Sequence, residues 1–177
     1  MKRFLCATSL TLAMLTTCGG AQTKTAVAQS NSEPLSAMAW FVGGTWTSEV
    51  KDPSDGNVTK VEERIRWSPN HQAIAFNVNF NGKPHYDGFY AYNPGTRKID
   101  FYYTSSDGDL SIGTVTPDPD GKTFHQEFDI MHANGNTGHV RSTVVRDGEN
   151  AYEFSVFMQK SGDWQPVFHI RYERKAE

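Results

Sequence analysis

The first residue in this chain with chemical potential is a carboxylate in apolar company. Across Val58–Trp67, the set Val61, Glu63, Ile65 and Trp67 alternates with Lys60, Glu62, Arg64 and Arg66. Successive side chains of an extended chain point to opposite faces, so the charged set takes the water and Glu63 is left facing inward. A buried carboxylate is costly unless it meets a cation or keeps its proton. Glu63 therefore either pairs with an inward cation, carries a raised pKa, or sits hydrated near an open end.

Two residues are candidates to act with it. Arg141, on the run Gly138–Arg146, is the natural counter-ion for Glu63 or for a ligand carboxylate if it points inward. His169, between Phe168 and Ile170, reads either as an acid-base group or as a satisfied structural histidine. Glu63, Arg141 and His169 would together supply the acid, base and anion clamp of a cofactor-free isomerase, cyclase or lyase. The same three residues, with Trp67, Tyr86 and Tyr90, read equally as the lining of a binding cavity, because tyrosine combines apolar area with a hydroxyl handle. Tyr86, Gly88, Tyr90 and Tyr92 share one face of their run and His85, Asp87, Phe89 and Ala91 the other. The alternation leaves open which face is the inner one. It leaves the same choice in His71–Phe80, between Ile74, Phe76, Val78, Phe80 and Ala73, Ala75, Asn77, Asn79.

His125, Glu127 and Asp129 also share a face, a pattern with metal-ligand chemistry. A half-buried strand produces such triplets by alternation alone, so the expectation is a solvated face with no metal. The chain has no Ser-His-Asp order, nucleophile elbow, phosphate-cradling glycine loop or cysteine metal site, and no cofactor is expected. A carrier is expected rather than an enzyme.

The elements that must position these residues are strands. About ten are expected: Trp46–Val50, Val58–Trp67, His71–Phe80, His85–Tyr92, Lys98–Thr104, Leu110–Thr116, Thr123–Ile130, Gly138–Arg146, Tyr152–Gln159 and Trp164–Glu173. Between them lie hairpin residues such as Asn81-Gly82, Asp107-Gly108, Asp147-Gly148 and Ser161-Gly162. So many consecutive antiparallel strands leave a sticky edge unless they close, which predicts an all-β, up-and-down barrel. Pro166 cannot donate to a ladder and marks an edge or bulge near the seam. Ahead of the strands, Leu35, Met38, Ala39 and Val42 follow Pro34 at helical spacing, and Gly43-Gly44 ends that short N-terminal helix.

Residues 1–28 read as an export signal: Lys2 and Arg3, then an uncharged stretch from Phe4 to Leu15 too short to span a bilayer. Ala26-Val27-Ala28 supports cleavage and periplasmic release. Leu15-Thr16-Thr17-Cys18 has the look of a lipobox, which would leave the protein lipid-anchored through Cys18. Residues 29–34 form a polar tether and residues 35–177 the folded domain. Cys6 and Cys18 both lie in the leader, so no disulfide holds the mature domain together. Cleavage after Ala28 removes Lys2, Arg3 and Lys24 and no acidic residue, moving the formal charge from −3 to −6. That balance argues against nucleic acid or an anionic membrane as partner.

Gly44-Thr45-Trp46 at the start of the first strand and Arg171 on the last resemble the lipocalin or calycin signature, in which an arginine of the closing strand covers a tryptophan at the barrel floor. Met38–Trp46, Val61-Glu62-Glu63, Gly88-Phe89 and His169–Arg174 are more closely similar to the nitrobindin-like barrels. The resemblance implies a lipocalin-like barrel holding an apolar or amphipathic small molecule, with Gly44, Trp46 and Arg171 structural. Some nitrobindin-like members carry haem on a histidine of the last strand. Val167 aligns with that position here, and valine cannot ligate iron; His169 could replace it only if the alignment slips by two.

Overall fold

The computed structural model describes residues 34–52 and 54–175. Residues 1–33, the expected export signal and most of the expected tether, lie outside the described residues. Ten strands follow one another: β1 (Thr45–Lys51), β2 (Val58–Trp67), β3 (Ala73–Phe80), β4 (Lys83–Asn93), β5 (Lys98–Ser105), β6 (Leu110–Pro117), β7 (Thr123–Met131), β8 (Thr137–Arg146), β9 (Ala151–Lys160) and β10 (Asp163–Arg174). Each pairs antiparallel with its neighbours in sequence, and β1 closes on β10 to complete a barrel. The expected up-and-down architecture is therefore present, with every strand end within two residues of its expected place.

The local reasons are those of hairpins and alternation. At Asn81-Gly82 both residues take positive φ (51° and 75°), and at Ser161-Gly162 likewise (52° and 93°), the backbone that matches strand twist in a two-residue turn. β7 shows the alternation most plainly: Phe124, Gln126 and Phe128 are buried while His125, Glu127 and Asp129 between them are exposed. Register decides the faces left open above. Ile74, Phe76 and Val78 are buried inside, as is Tyr90, with Tyr86 half-buried on the same face.

The segment before β1 is a 3-10 helix, Ser36–Phe41, rather than an α-helical turn. In a 3-10 helix side chains three apart lie above one another, so Leu35, Met38 and Phe41 form the buried stripe and Ala39 is exposed. Gly43 and Gly44 follow at positive φ (94° and 72°) and turn the chain into β1. Gly43 N–H is fixed on the Ile65 carbonyl (2.8 Å). The helix plugs one end of the barrel. Phe41 lies 5.1 Å from the Tyr152 ring and 5.3 Å from Phe124, both edge-on. Trp46, fully buried, donates its indole N–H to the Phe41 carbonyl (3.0 Å). Fully burying one such apolar side chain is worth about 1.5–3 kcal/mol, which is how a domain lacking disulfides holds its closed end.

On β10 one expectation is met and another is not. The register with β9 slips between Pro166 and Phe168, so Val167 has no partner, the bulge that proline forecast. The slip reverses the faces: Phe168, Ile170 and Tyr172 pair with Val156, Phe154 and Tyr152 on the inner side, whereas Trp164 belongs outside, against Arg141. The arginine over Trp46 is also a different one. Arg174 pairs with Trp46 in register, sets its guanidinium 4.3 Å from the indole centroid and donates to the Trp40 carbonyl (2.9 Å). Arg171, of the opposite parity, lies on the outer wall with Asp147 and Glu153. Gly44 makes room for the stack, since a Cβ there would approach Arg174 Cγ to 3.3 Å.

Candidate functional site

Glu63 faces the interior as its strand pattern predicts, with 8% of its surface exposed. Register sets it between Trp46 on β1 and Val78 on β3. One carboxylate oxygen, Oε2, accepts a hydrogen bond from the Tyr152 hydroxyl. No cation among the described residues joins it: burial pushes its pKa up to about 7, and the Tyr152 bond is the one influence holding it down. Tyr152 stacks against Tyr172, ring centroids 4.7 Å apart. Burial raises the pKa of both phenols, as it does that of Tyr90, and the Glu63 charge adds to the effect in all three. These side chains form one hydrogen-bond-capable layer just inside the plug, with Glu63 its one carboxyl group.

A second polar chain crosses the interior nearby. Ser142 donates to Gln126 Oε1, and Gln126 Nε2 donates to the Tyr90 hydroxyl (2.9 Å), which keeps its own hydrogen for another acceptor. Above this level the lining is aromatic. Tyr90 stacks with Phe101 (5.2 Å), Phe76 with Phe101 (6.1 Å), and Phe128 stands edge-on to both Phe101 and Tyr103. Ser111 is fully buried and lies opposite Tyr103 in register, where its hydroxyl works against the effect of burial on the phenol. Burial pushes Tyr103 up to about 12.

Toward the end opposite the plug the inner faces are half-buried rather than buried. Phe80, Tyr86, Ile130, Phe154, Val156 and Met158 all retain surface although they pack on the core. Inward side chains with residual exposure are what a barrel mouth open to solvent produces. Two inward glycines keep the wall close: a Cβ on Gly88 would strike Phe76 and Tyr103, and one on Gly113 would strike Phe128 and the Glu127 carbonyl. The seam is the barrel's weak side. β1 and β10 share two register pairs, Trp46–Arg174 and Thr47–Glu173, with one further backbone bond from Lys175 N–H to the Thr45 carbonyl (2.8 Å). Beyond them an open concavity of about 1010 Å³ is lined both by outward residues such as Glu49, Lys60 and Arg171 and by the inner-face residues Val50, Val61 and Ile170.

The candidate residues separate into two groups. Glu63, Tyr86 and Tyr90 are inside; Trp67 is half-buried at the plugged end, stacked on His71 at 5.8 Å. Arg141 and His169 are outside. Arg141 bonds Glu127 (2.9 Å) and lies over Trp164 at 4.2 Å, and its register partners Glu127 and Phe157 share its outer face. His169 lies against Ser155 Oγ (2.8 Å) and Glu153 (3.1 Å). The acid-base trio of Glu63, Arg141 and His169 is thus not assembled, and Arg141 is no counter-ion for Glu63.

His125, Glu127 and Asp129 lie on the outer wall. His139 bridges Asp129 (2.6 Å) and Glu127 (3.2 Å), and the Asp129 bond chiefly raises its pKa. Among the described residues no group of three or more histidine, cysteine, aspartate or glutamate side chains is arranged to hold a metal ion.

Sequence reasoning missed Tyr152, Tyr172, Gln126 and Ser142. The last two carried a signal: Gln126 alternates with Phe124 and Phe128, and Ser142 with Val140 and Val144, polar groups on apolar faces just as Glu63 is. Tyr152 and Tyr172 carried none, since tyrosine suits either face of a strand. No protein-family model matches the chain, and no curated protein matches it either.

Proposed function

We propose that this protein is a lipocalin-like carrier that holds one apolar or amphipathic small molecule inside the barrel, polar end toward Glu63. The observation that carries the reading is Glu63 itself: a buried, inward carboxylate with one phenol donor and no cation among the described residues, on the same inner surface as aromatic and half-buried apolar side chains. A barrel built only for stability has no use for it, because an apolar residue of similar volume in that place costs less. A few placed polar groups among apolar and aromatic side chains are the usual composition of a small-molecule site.

The nitrobindin-like resemblance and the export signal fit a periplasmic protein, released after Ala28 or anchored at Cys18. Haem held by a histidine does not fit the residues of β10. Val167 is the unpaired bulge residue, 52% exposed, and His169 is turned outward onto Ser155 and Glu153. The inner positions beside them are Phe168, Ile170 and Tyr172.

The test is to isolate the protein from its own organism, extract it with organic solvent, and follow native mass spectra before and after. A stoichiometric small molecule, and rebinding of that molecule, is the expected result. No extracted molecule, together with no binding from a panel of lipids, isoprenoids and aromatic compounds, refutes the carrier.

A further inference from the structure

We infer that the ligand of this barrel carries a protonated amine on an apolar body, and that Glu63 is the residue that receives the ammonium group. The inference rests on the carrier reading above and names the chemical class of what is carried.

Every described group that surrounds Glu63 is neutral. Trp46 and Val78 flank it in register from β1 and β3, and Tyr90, Tyr152 and Tyr172 face it from β4, β9 and β10. The guanidiniums at the inner-parity positions of β8 and β10 are engaged around the plug, Arg174 over Trp46 and Arg146 over Trp40 at 5.7 Å. Neither contributes to the state of Glu63. Oε2 takes the Tyr152 hydroxyl, while Oε1 accepts no hydrogen bond from any described residue. Above about pH 7 the site therefore holds one negative charge that no described cation balances, and one acceptor oxygen without a described donor.

An ammonium group supplies what this arrangement lacks: a single positive charge and hydrogens to give to Oε1. Charge-assisted hydrogen bonds of that kind are shorter and about twice as strong as neutral ones. The surrounding rings act in the same direction. Aromatic rings attract a cation, and the phenols of Tyr90, Tyr152 and Tyr172 all lie within the electrostatic reach of the carboxylate. A ligand carboxylate would instead bring a second negative charge to Glu63. A neutral alcohol would gain a hydrogen bond and leave the charge unbalanced. The half-buried apolar walls above, Phe80, Ile130, Phe154 and Met158, suit a hydrocarbon or aromatic body attached to the amine.

Three probes of equal length separate the possibilities: decylamine, decanol and decanoate, titrated into the purified protein by calorimetry at mildly alkaline pH. Decylamine is expected to bind tighter than decanol by about tenfold or more, the worth of a hydrogen bond to a charged group, with decanoate weakest. In Glu63→Gln the amine should lose its advantage and bind within about twofold of the alcohol. Circular dichroism and cooperative urea unfolding show that the variant is folded, and the ranking in the native protein stands without it. Amine affinity should fall as the pH drops through about 7, where Glu63 takes up a proton, while decanol affinity stays level. Equal or tighter binding of decanol or decanoate by the native protein overturns the inference and leaves the carrier standing. An amine preference that survives in Glu63→Gln overturns it too. Failure of all three probes to bind also overturns the inference, while the carrier is decided by the extraction and the wider panel.

Discussion

Replacing Glu63 with glutamine tests the site through stability, without any ligand. The folded protein holds the Glu63 carboxyl proton more tightly than the unfolded chain does, with the pKa raised from 4.5 to about 7. Between those values folding takes up a proton, so stability is greatest below the unfolded pKa and falls as pH rises toward about 7, above which the loss is complete. At 1.36 kcal/mol per pKa unit, the swing is roughly 3 kcal/mol. A glutamine side chain in this place cannot titrate, yet its amide oxygen can still accept the Tyr152 hydroxyl.

The assay is urea unfolding of both proteins at a series of pH values from acid to mildly alkaline, read as the difference in unfolding free energy. His139, whose pKa is raised by Asp129 and Glu127, also loses its stabilising contribution as pH rises, but it lies on the outer wall in both proteins and cancels in the difference. The variant should gain on the native protein by roughly 3 kcal/mol across the window and be the more stable of the two at its alkaline end. A swing below about 1 kcal/mol, or one of opposite sign, would refute the claim that Glu63 is buried without a cation.

Tyr152→Phe removes the one donor to Glu63, a bond that holds the carboxyl pKa down, so the midpoint of the same pH profile, or of the carboxyl resonance followed by carbon NMR, should move upward. An unmoved or lower midpoint contradicts the hydrogen bond. Arg174→Ala should cost about 1–3 kcal/mol in thermal unfolding through the lost stack on Trp46 and the bond to Trp40. Arg171→Ala, on the exposed outer wall, should cost less, and the reverse order would return the role of floor pin to Arg171. Gly113→Ala puts a methyl group into the Phe128 backbone and side chain and should lose about 1–3 kcal/mol or more by overpacking. Unchanged stability there would mean that β6 and β7 do not approach as closely as described.

What the amino-acid order by itself determined was local. Asn81-Gly82 and Ser161-Gly162 need only their own backbone to turn, so both hairpins and the strand ends around them were legible. Where one face of a strand is charged, as at Lys60, Arg64 and Arg66, alternation alone put Glu63 inside. Tertiary structure decided everything that depends on pairing across the barrel. The Tyr152 hydroxyl reaches Glu63 across 89 residues of chain, a meeting no spacing announces. A one-residue slip at Val167 moved Trp164 to the outer face, and Arg174 rather than Arg171 reached Trp46, because a strand's period of two turns any single-residue offset into a change of side. Arg141 and His169 went outward for the same reason: their strands are amphipathic enough to read either way, and only register with Glu127, Phe157 and Ser155 settles which face meets the interior.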